Sequence, residues 1–352
     1  MFKSARSTTV RGISVLCLAG VVATLAACAN PSGGGGGTNT SPPGGKSIPT
    51  VRLGVGSSIS DAVYRVDARQ IAKDSGIDLR IGSFDRGFQG VQAAAASSLD
   101  GGISVEYPLL TLVASGVKNV VALAACTTAP DIKMVVTSNI KGPKDLVGKR
   151  IGITTGSSFD YAFRHYLKIN GLSAGDVKFV NLPGTAQIAS LAKGEIDGLV
   201  NVEPQLSQAL TTVRGSKLLD PDINSAYVSR VWLSVNKPWA EANHEAVIKL
   251  LQSLNKTAEY IKNSPDEAYG VIAKELNIDQ KLVADTVKSV PYTWGCYIDD
   301  ESIQAMQGVA DFVKENGQGT VDIAKVIDST YLQEAAPDAV HLSKDSLKLL
   351  GR

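Results

Sequence analysis

Hydrophobic and polar positions follow the same strand–helix order twice between residues 50 and 205. Short apolar runs predict strands, and the amphipathic segments between them predict helices. The predicted strands fall at 51–56, 77–84, 102–105, 150–154, 177–182 and 199–202. Because strands alternate with helices, we expect an α/β fold with parallel strands and right-handed crossovers.

The clearest predicted helix begins near Ser158 or Asp160 and ends at Gly171, since a capping residue opens it and a glycine closes it. Residues 241–349 also show mostly helical periodicity, and we expect these helices to cover the first strand–helix unit. Two further apolar runs, at 132–137 and 230–235, read as extended strands that flank the second unit. We expect them to carry the chain from one lobe to the other and back.

The two units also match residue by residue at an offset of 97. Residues 99–106 (LDGGISVE) align with residues 196–203 (IDGLVNVE). Between Gly87 and Leu109, 7 of 23 positions are identical to those of the second unit. The shared order of several elements favours a duplication over convergence, and the period is too long for a solenoid.

Residues 1–27 have the pattern of an export signal. Lys3, Arg6 and Arg11 precede 16 uncharged residues. This stretch is shorter than the ~20 residues of a membrane span and fits the apolar region of a signal peptide. An uncleaved anchor helix and a signal cut elsewhere are the alternatives.

The signal ends in Leu-Ala-Ala-Cys at residues 25–28, which is typical of a bacterial lipobox. We therefore predict that Cys28 is lipidated and that the protein is anchored on the extracytoplasmic face of the cell membrane. The segment 28–48 is rich in Gly, Pro and Ser, and predicts a flexible tether.

Composition excludes several classes of protein. Apolar residues make up 44% and charged residues 20%, as in a soluble globular domain. The 35 basic and 34 acidic residues leave no basic field of the kind that nucleic-acid binders carry. The chain has only 3 His and 4 Cys, with no CxxC or HExxH spacing. We therefore expect no nucleic-acid partner, no metal site and no cofactor.

Two cysteines remain after processing. Cys17 leaves with the signal and Cys28 is the predicted lipid site, so Cys126 and Cys296 are left in the exported chain. An oxidising compartment permits a disulfide between them. The alternative is a pair of buried free thiols.

Residues 145–158 (DLVGKRIGITTGSS) and 181–204 (NLPGTAQIASLAKGEIDGLVNVEP) resemble the substrate-binding lipoproteins of ABC importers for nitrate, sulfonates, taurine and thiamine precursors, the NMT1/THI5-like group. Residues 99–109 and 264–268 fit the same family, and the resemblance covers residues 50–320. It implies a type II periplasmic-binding fold, in which two α/β lobes joined by a two-strand hinge close on a solute. It also implies permease and ATPase partners, and we expect a monomer.

The expected lobes are residues 49–136 together with 234–345, and residues 137–233. In open α/β sheets, ligands bind beyond the carboxyl ends of the strands. The family's binding positions map onto loops at those ends, to which we add an aromatic residue of the strand 230–235. The candidate ligand-binding residues are Ser57, Ser58, Phe88, Gln89, Glu106, Tyr107, Gly156, Ser157, Ser158, Thr185, Glu203 and Trp232.

Each type of candidate residue has two interpretations. The serines and glycines sit where helix N-terminal N–H groups bind an anionic head group, and helix capping is the alternative for the serines. The aromatic residues either pack on an organic ligand or belong to a lobe core. Glu106 and Glu203 would repel a sulfonate and suit an amine or an aminopyrimidine, or else accept backbone N–H bonds at strand ends.

The sequence thus predicts an extracytoplasmic solute-binding lipoprotein, with an organic anion such as a sulfonate as the preferred solute. A thiamine-precursor-like or other heteroaromatic solute is the alternative. A biosynthetic enzyme on the same fold is disfavoured, because His165, His244 and His341 all lie outside the predicted cleft loops. A sensory or adhesion lipoprotein remains a further alternative.

Overall fold

The computed structural model describes residues 48–352, apart from residues 67, 85 and 204. The predicted signal peptide, the predicted tether and Cys28 therefore lie outside the described residues. The strands of the described part are β1 (Thr50–Val55), β2 (Asp78–Ser83), β3 (Gly101–Ser104), β4 (Val120–Ala129), β5 (Lys133–Val136), β6 (Arg150–Ile153), β7 (Lys178–Asn181), β8 (Gly198–Asn201), β9 (Lys217–Leu218), β10 (Ser229–Asn236), β11 (Thr293–Asp299) and β12 (Val340–His341).

Helices connect and cover these strands, and short 3-10 helices occur in several loops. The α-helices are α1 (Ala68–Asp74), α2 (Gly87–Ala95), α3 (Glu106–Ala114), α4 (Ser158–Ile169), α5 (Gly184–Ala192), α6 (Gln205–Thr212), α7 (Lys237–Ala242), α8 (His244–Asn263), α9 (Pro265–Leu276), α10 (Gln280–Ser289), α11 (Asp300–Glu315), α12 (Thr330–Ala335) and α13 (Lys344–Leu349). Among the described helices, none is long and apolar enough to cross a membrane.

The strands form two separate mixed sheets, which confirms the predicted α/β class. The first has the order β12-β11-β4-β10-β3-β1-β2, and the second has the order β7-β6-β8-β5-β9. All six strands predicted for the two units are present, as β1 to β3 and β6 to β8. The two central strands of the first sheet, β4 and β10, are buried along nearly their whole length, as expected for strands covered on both faces.

The predicted duplication is visible in the order of the strands. In the first sheet β1 lies between β2 and β3, and in the second β6 lies between β7 and β8, with every pairing parallel. An antiparallel strand follows on the far side of each unit: β10 beside β3, and β5 beside β8. Each unit is therefore a parallel three-stranded core completed by one antiparallel strand.

Those two antiparallel strands are the runs predicted to connect the lobes. The predicted boundary at 136/137 leaves β5 with the first lobe, but β5 pairs in the second sheet. The boundary at 233/234 cuts through β10, which pairs in the first sheet over its full length. Sheet membership therefore changes at residues 130–132 and again at residues 219–228.

Three strands of the first sheet, β4, β11 and β12, were not predicted. β4 and β11 pair antiparallel, and β11 lies inside the region expected to be mostly helical. Cys126 of β4 and Cys296 of β11 are joined by a disulfide. The pairing of these two strands thus brings together cysteines that are 170 residues apart in the chain.

Candidate functional site

Both sheets direct their strand ends toward a common region. β1, β2 and β3 end at one edge of the first sheet, where β4 also ends and β10 and β11 begin. In the second sheet β6, β7 and β8 end at the edge where β5 begins. We call these two edges the carboxyl edges, and the loops that follow them are the expected ligand loops of an α/β sheet.

Side chains from the two carboxyl edges contact each other. The Arg86 guanidinium, just before α2, lies 5.4 Å from the ring centroid of Phe159 in α4. The rings of Tyr107 in α3 and Tyr161 in α4 stack with centroids 5.9 Å apart. The region between the two edges is therefore the interlobe cleft in which we look for a site.

The loop after β1 contains Ser57 and Ser58. The Ser57 hydroxyl donates to the Phe84 carbonyl at 2.9 Å, and the Ser58 and Ser60 hydroxyls are 2.6 Å apart. Asp61 lies in the 3-10 helix Ile59–Tyr64 and is only 6% exposed. Burial raises the pKa of Asp61 to about 6, although hydrogen bonds from the hydroxyl and backbone N–H of Ser58 hold it down.

The loop after β6 leads into α4. Gly156 has φ of +73°, a left-handed conformation that favours glycine, and its N–H donates to Asp160 Oδ2 at 3.0 Å. Ser157 precedes the helix, but its hydroxyl donates to the Thr154 carbonyl at 2.6 Å and does not cap it. Ser158 is half-buried as the first residue of α4.

The remaining candidates near α2 and α5 have mostly local contacts. Phe88 is half-buried and packs against the hydrophobic core. Gln89 is exposed, and its Oε1 accepts the Arg86 N–H at 3.1 Å, which caps α2. Thr185 lies in the first turn of α5, and its side chain is outside the described part of the structure.

Glu106 and Tyr107 are buried at the start of α3. Glu106 is 0% exposed, and its Oε2 accepts from the Tyr227 hydroxyl at 2.5 Å and from the Arg230 N–H at 3.3 Å. Burial raises the pKa of Glu106, against the effect of those bonds and of Arg230. The Tyr107 hydroxyl donates to Gln318 Oε1 at 2.9 Å.

Glu203 and Trp232 differ in their surroundings. Glu203 follows β8, is half-buried, and accepts the Ser207 N–H of α6 at 3.1 Å. Trp232 is fully buried in β10, within the hydrophobic core. Within the described part of the chain, Trp232 Nε1 and Glu106 Oε1 are buried polar atoms without a hydrogen-bond partner.

A group of residues at the carboxyl edges was not predicted from the sequence. Asp131 connects β4 to β5, and burial, together with the charge of Asp61, raises its pKa to about 7. Tyr292 precedes β11, and burial, followed by the charges of Asp131, Asp61 and Glu203, raises its pKa.

An aromatic pair lies at the start of β11. The rings of Tyr292 and Trp294 stack with centroids 5.0 Å apart, and both side chains are half-buried. These residues could have been identified from the sequence if β11 had been predicted. Tyr292 immediately precedes this strand, and Trp294 is its second residue. In the part of the chain that the structure describes, no group of three or more His, Cys, Asp or Glu residues is arranged to hold a metal ion.

Comparison with known proteins gives a consistent family. A family profile described as "NMT1/THI5 like" matches residues 72–268, which is more than half of the chain. A "Putative aliphatic sulfonates-binding protein" of Bacillus subtilis (strain 168) is 25% identical over 297 residues, covering 82% of this chain and 89% of that protein. The taurine-binding periplasmic protein of Escherichia coli (strain K12) is 28% identical over 287 residues, covering 74% and 86%.

Solved structures show the same fold. The periplasmic aliphatic sulphonate binding protein SsuA of Escherichia coli superposes with a TM-score of 0.69 at 20% identity, covering 81% of this chain and 99% of that chain. The desulfurization enzyme DSZB superposes with a TM-score of 0.62 at 15% identity, covering 82% and 99%. At such identities the likeness concerns the fold alone, because one fold carries both binding proteins and enzymes.

Proposed function

Because the chain belongs to the NMT1/THI5-like family, we propose that it is the solute-binding component of an ABC importer. It captures a small solute between two lobes on the extracytoplasmic side of the membrane and delivers it to permease and ATPase subunits. The observation that carries this proposal is the facing of the two carboxyl edges, since each brings equivalent loops of the duplicated unit to one cleft. The names of both relatives support a binding role.

We propose the lobes as expected from the sequence, with boundaries adjusted to the sheets. The first lobe contains the seven-stranded sheet and the second contains the five-stranded sheet. The connections at 130–132 and 219–228 form the hinge. Asp131 lies in the first connection, and Tyr227 of the second connection donates to Glu106 at the start of α3.

An enzyme on this fold would need a nucleophile beside a base. Cys126 and Cys296 are the described cysteines, and the disulfide removes both thiols. His244 is engaged with Glu334 at 2.8 Å, and His165 stacks on Tyr161 with centroids 5.9 Å apart. These contacts favour binding over catalysis.

The proposal includes a lipid anchor at Cys28 and a monomeric chain. In this proposal Cys28→Ser releases the protein from the membrane fraction, whereas retention of unprocessed variant on the membrane would contradict the anchor. Peptide mapping of the unreduced protein tests whether Cys126 and Cys296 are joined in the exported chain, because free thiols would be alkylated.

Native mass spectrometry of the released Cys28→Ser chain tests the binding role. We expect a small molecule to co-purify and to leave on denaturation, and the same mass to rebind after refolding. A refolded sample without the molecule is the control. If nothing co-purifies, and no sulfonate, amine or heteroaromatic compound raises the melting temperature, the binding role is contradicted.

The names of the relatives support an organic anion such as a sulfonate, as the sequence predicted. In the predicted loops, the Gly156 N–H already has an acceptor in Asp160, whereas no described side chain caps the N-terminus of α4 or of α5.

A further inference from the structure

We propose that the amino edge of the five-stranded sheet is a docking face for an anionic phospholipid surface, where basic side chains meet lipid phosphates and exposed apolar side chains enter the head-group layer. This edge is opposite to the cleft, so the inference goes beyond solute capture. It consists of the segments that lead into β6, β7, β8 and β9, which are residues 138–150, 169–178, 193–197 and 213–218. We call these four segments the basic end.

The register of the strands brings the four segments to one edge. Val136, at the end of β5, pairs with both Gly198 and Lys217. Arg150, at the start of β6, pairs with Lys178 of β7. A backbone hydrogen bond of 2.7 Å also joins the first segment to the second. The basic end is therefore one edge of the second lobe and not a set of scattered loops.

Basic residues outnumber acidic residues at this edge. The four segments contain eight basic residues and four acidic ones. The basic residues are Lys141, Lys144, Lys149, Arg150, Lys178, Lys193, Arg214 and Lys217, and the acidic residues are Asp145, Asp176, Glu195 and Asp197. Residues 48–352 as a whole have 31 basic and 34 acidic residues, because four of the 35 basic residues lie before residue 48. A positive edge on a slightly acidic chain favours contact with a polyanionic surface.

The acidic residues leave most of these cations without an ion pair. Within the described residues, Arg150–Asp197 is the one ion pair that contains a basic residue of this end. Six of the eight basic side chains, all but Lys149 and Arg150, are exposed. Asp145 accepts the backbone N–H of Lys141 at 2.7 Å and forms no ion pair with its side chain. The positive charges therefore face solvent, where an anionic surface can approach them.

Two comparisons within the chain show that this charge is specific to the basic end. The carboxyl edge of the same sheet has four acidic residues and no basic residue over the segments 130–132, 154–157, 182–183, 202–203 and 219–228. In the first unit, the segments that lead into β1, β2, β3 and β4 contain only Lys118, Asp78 and Asp100 as charged residues, over 48–50, 75–78, 96–100 and 115–119. The excess of basic residues thus belongs to one edge of one duplicated unit.

Exposed apolar side chains lie at the same end. The described residues include five large hydrophobic residues that are exposed, and three of them are here: Val147 at 54%, Ile169 at 51% and Leu218 at 40%. A cavity of about 360 Å³ at this end is lined by residues that include Lys144 and Asn170. Apolar side chains among basic ones are typical of a surface that lies in a membrane interface, since each kind of group finds its partner there.

Charge and the length of the preceding chain identify the occupant as a lipid surface. Anionic head groups attract basic segments that come within a Debye length of the membrane. Cys28, the proposed lipid site, is 20 residues before Ile48, and 20 residues span at most ~70 Å. The membrane is therefore an extended surface within reach of the exported body, and the tether raises the effective concentration of the body beside it.

Vesicle binding tests the face without any solute. Residues 28–352 with Cys28→Ser carry neither the signal nor the lipid, so their binding to vesicles depends on the body. At low salt we expect them to co-sediment with phosphatidylglycerol vesicles at least tenfold more strongly than with phosphatidylcholine vesicles. High salt should release them, because it screens exposed charges. A high-salt wash therefore separates this contact from the lipid anchor when membrane fractions are compared.

Charge reversal locates the contact. Lys144→Glu combined with Lys217→Glu should weaken binding to phosphatidylglycerol vesicles at least tenfold, because both exposed side chains belong to the basic end. Lys73→Glu combined with Lys118→Glu is the matched control, since it changes the net charge equally at two exposed lysines, at the end of α1 and before β4. We expect the control to bind nearly as strongly as the parent chain. Melting curves establish that both variants are folded.

A fluorescent label reports whether the apolar side chains enter the lipid. Val147→Cys with an environment-sensitive fluorophore should shift its emission to shorter wavelength on phosphatidylglycerol vesicles. Leu349→Cys with the same label is the control, because Leu349 is also an exposed apolar residue, at 38%, and lies in α13, outside the basic end. We expect no shift from the control.

Several results would overturn the proposal. These are equal binding to the two kinds of vesicle, binding to neither, equal losses in the two charge-reversal variants, or the same response from the two labels. If a permease bound the parent chain but not the Lys144→Glu, Lys217→Glu variant, and no vesicle bound either, the face would dock a protein and the proposal would fail. Solute capture is tested separately by co-purification, so a failure here leaves the proposed function standing.

Discussion

The strands β3 and β8 occupy equivalent positions in the two duplicated units. The contacts at their amino ends are similar in the two units, whereas the contacts at their carboxyl ends differ. At the amino ends, Asp100 binds Arg52 and Asp197 binds Arg150, each through the arginine's backbone N–H, Nε and a terminal guanidinium nitrogen. We call each of these arginine–aspartate contacts a clamp. In each clamp the arginine also donates to a backbone carbonyl in the loop between the preceding helix and the strand. The duplicated unit therefore preserves all three hydrogen bonds between the arginine and the aspartate, whereas the carbonyl acceptors, Ser98 and Gly194, are not equivalent positions.

At the carboxyl ends, the equivalent residues Glu106 and Glu203 differ in burial and in hydrogen bonding. Glu106 is fully buried and joins α3 to Tyr227 and Arg230, which enter from the connection before β10. Glu203 stays half-buried and bonds only its own helix through Ser207 among the contacts described above. The end that holds the sheet together stayed the same, and the end that faces the cleft diverged.

The largest expected effect comes from truncating the two glutamates. Glu106→Ala leaves the buried Tyr227 hydroxyl unpartnered and opens a cavity, and we expect it to lower the free energy of unfolding by about 2–4 kcal/mol. Glu203→Ala removes one partly exposed cap, and should cost about 1 kcal/mol or less. Denaturant unfolding of both variants measures the difference, and equal losses would contradict the divergence of the two ends.

Truncation of the aspartates in the two amino-end clamps should give a smaller difference in the free energy of unfolding. The Asp100 side chain is 3% exposed and that of Asp197 is 25% exposed, although their bonds match. We expect Asp100→Ala to cost about 1–3 kcal/mol, because it leaves the partners of a buried carboxylate unpaired. Asp197→Ala should cost less, since water replaces its bonds. If Asp197→Ala were the more damaging, burial would not be what distinguishes the clamps.

The pH dependence of the free energy of unfolding should have opposite signs for a carboxylate at each end. Asp197 represents the amino end of β8, and Asp131 lies near its carboxyl end. Hydrogen bonding by Arg150 lowers the pKa of Asp197, so its stabilisation is present above the ordinary pKa of 3.8 and is lost as pH falls through the lowered value. Burial raises the pKa of Asp131 from 3.8 to about 7, so its contribution is complete below 3.8 and is lost as pH rises toward about 7.

Two isosteric variants test these signs. Asp131→Asn should flatten the decline in unfolding free energy between pH of about 4 and 7, because the amide resembles the neutral acid. Asp197→Asn should instead reduce the loss on the acid side. Unfolding curves at several pH values measure both slopes, and an unchanged slope for Asp131→Asn would show that its carboxyl does not titrate in this range.

The sequence predicted the repeated architecture because the duplicated units carry strong local signals. Alternating strands and helices, together with the matched segments 99–106 and 196–203, were enough for the α/β fold and for the six parallel strands. β11 was missed because its pairing with β4 joins residues far apart in the chain. A strand whose partner is distant has little local signature beyond a short β-branched and aromatic run.

The sequence predicted the positions of the candidate loops better than the contacts of their residues. The loops after β1, β6 and β8 do lie at the carboxyl edges, but the acceptors that serve Gly156 and Ser207 depend on side chains whose directions only the folded chain decides. Asp131 and Tyr292 were missed because they adjoin β4 and β11, which were not predicted. The burial of Trp232 follows from a central strand whose two neighbours are known only from the sheet order.

The strand order also has a consequence for the sequence of events during synthesis and export. Every strand of the five-stranded sheet lies between residues 133 and 218, whereas the seven-stranded sheet takes its strands from residues 50–129, 229–236, 293–299 and 340–341. A chain that emerges from its amino terminus can therefore close the second sheet while β4 still awaits both of its neighbours. The half that begins the chain is the last to be completed.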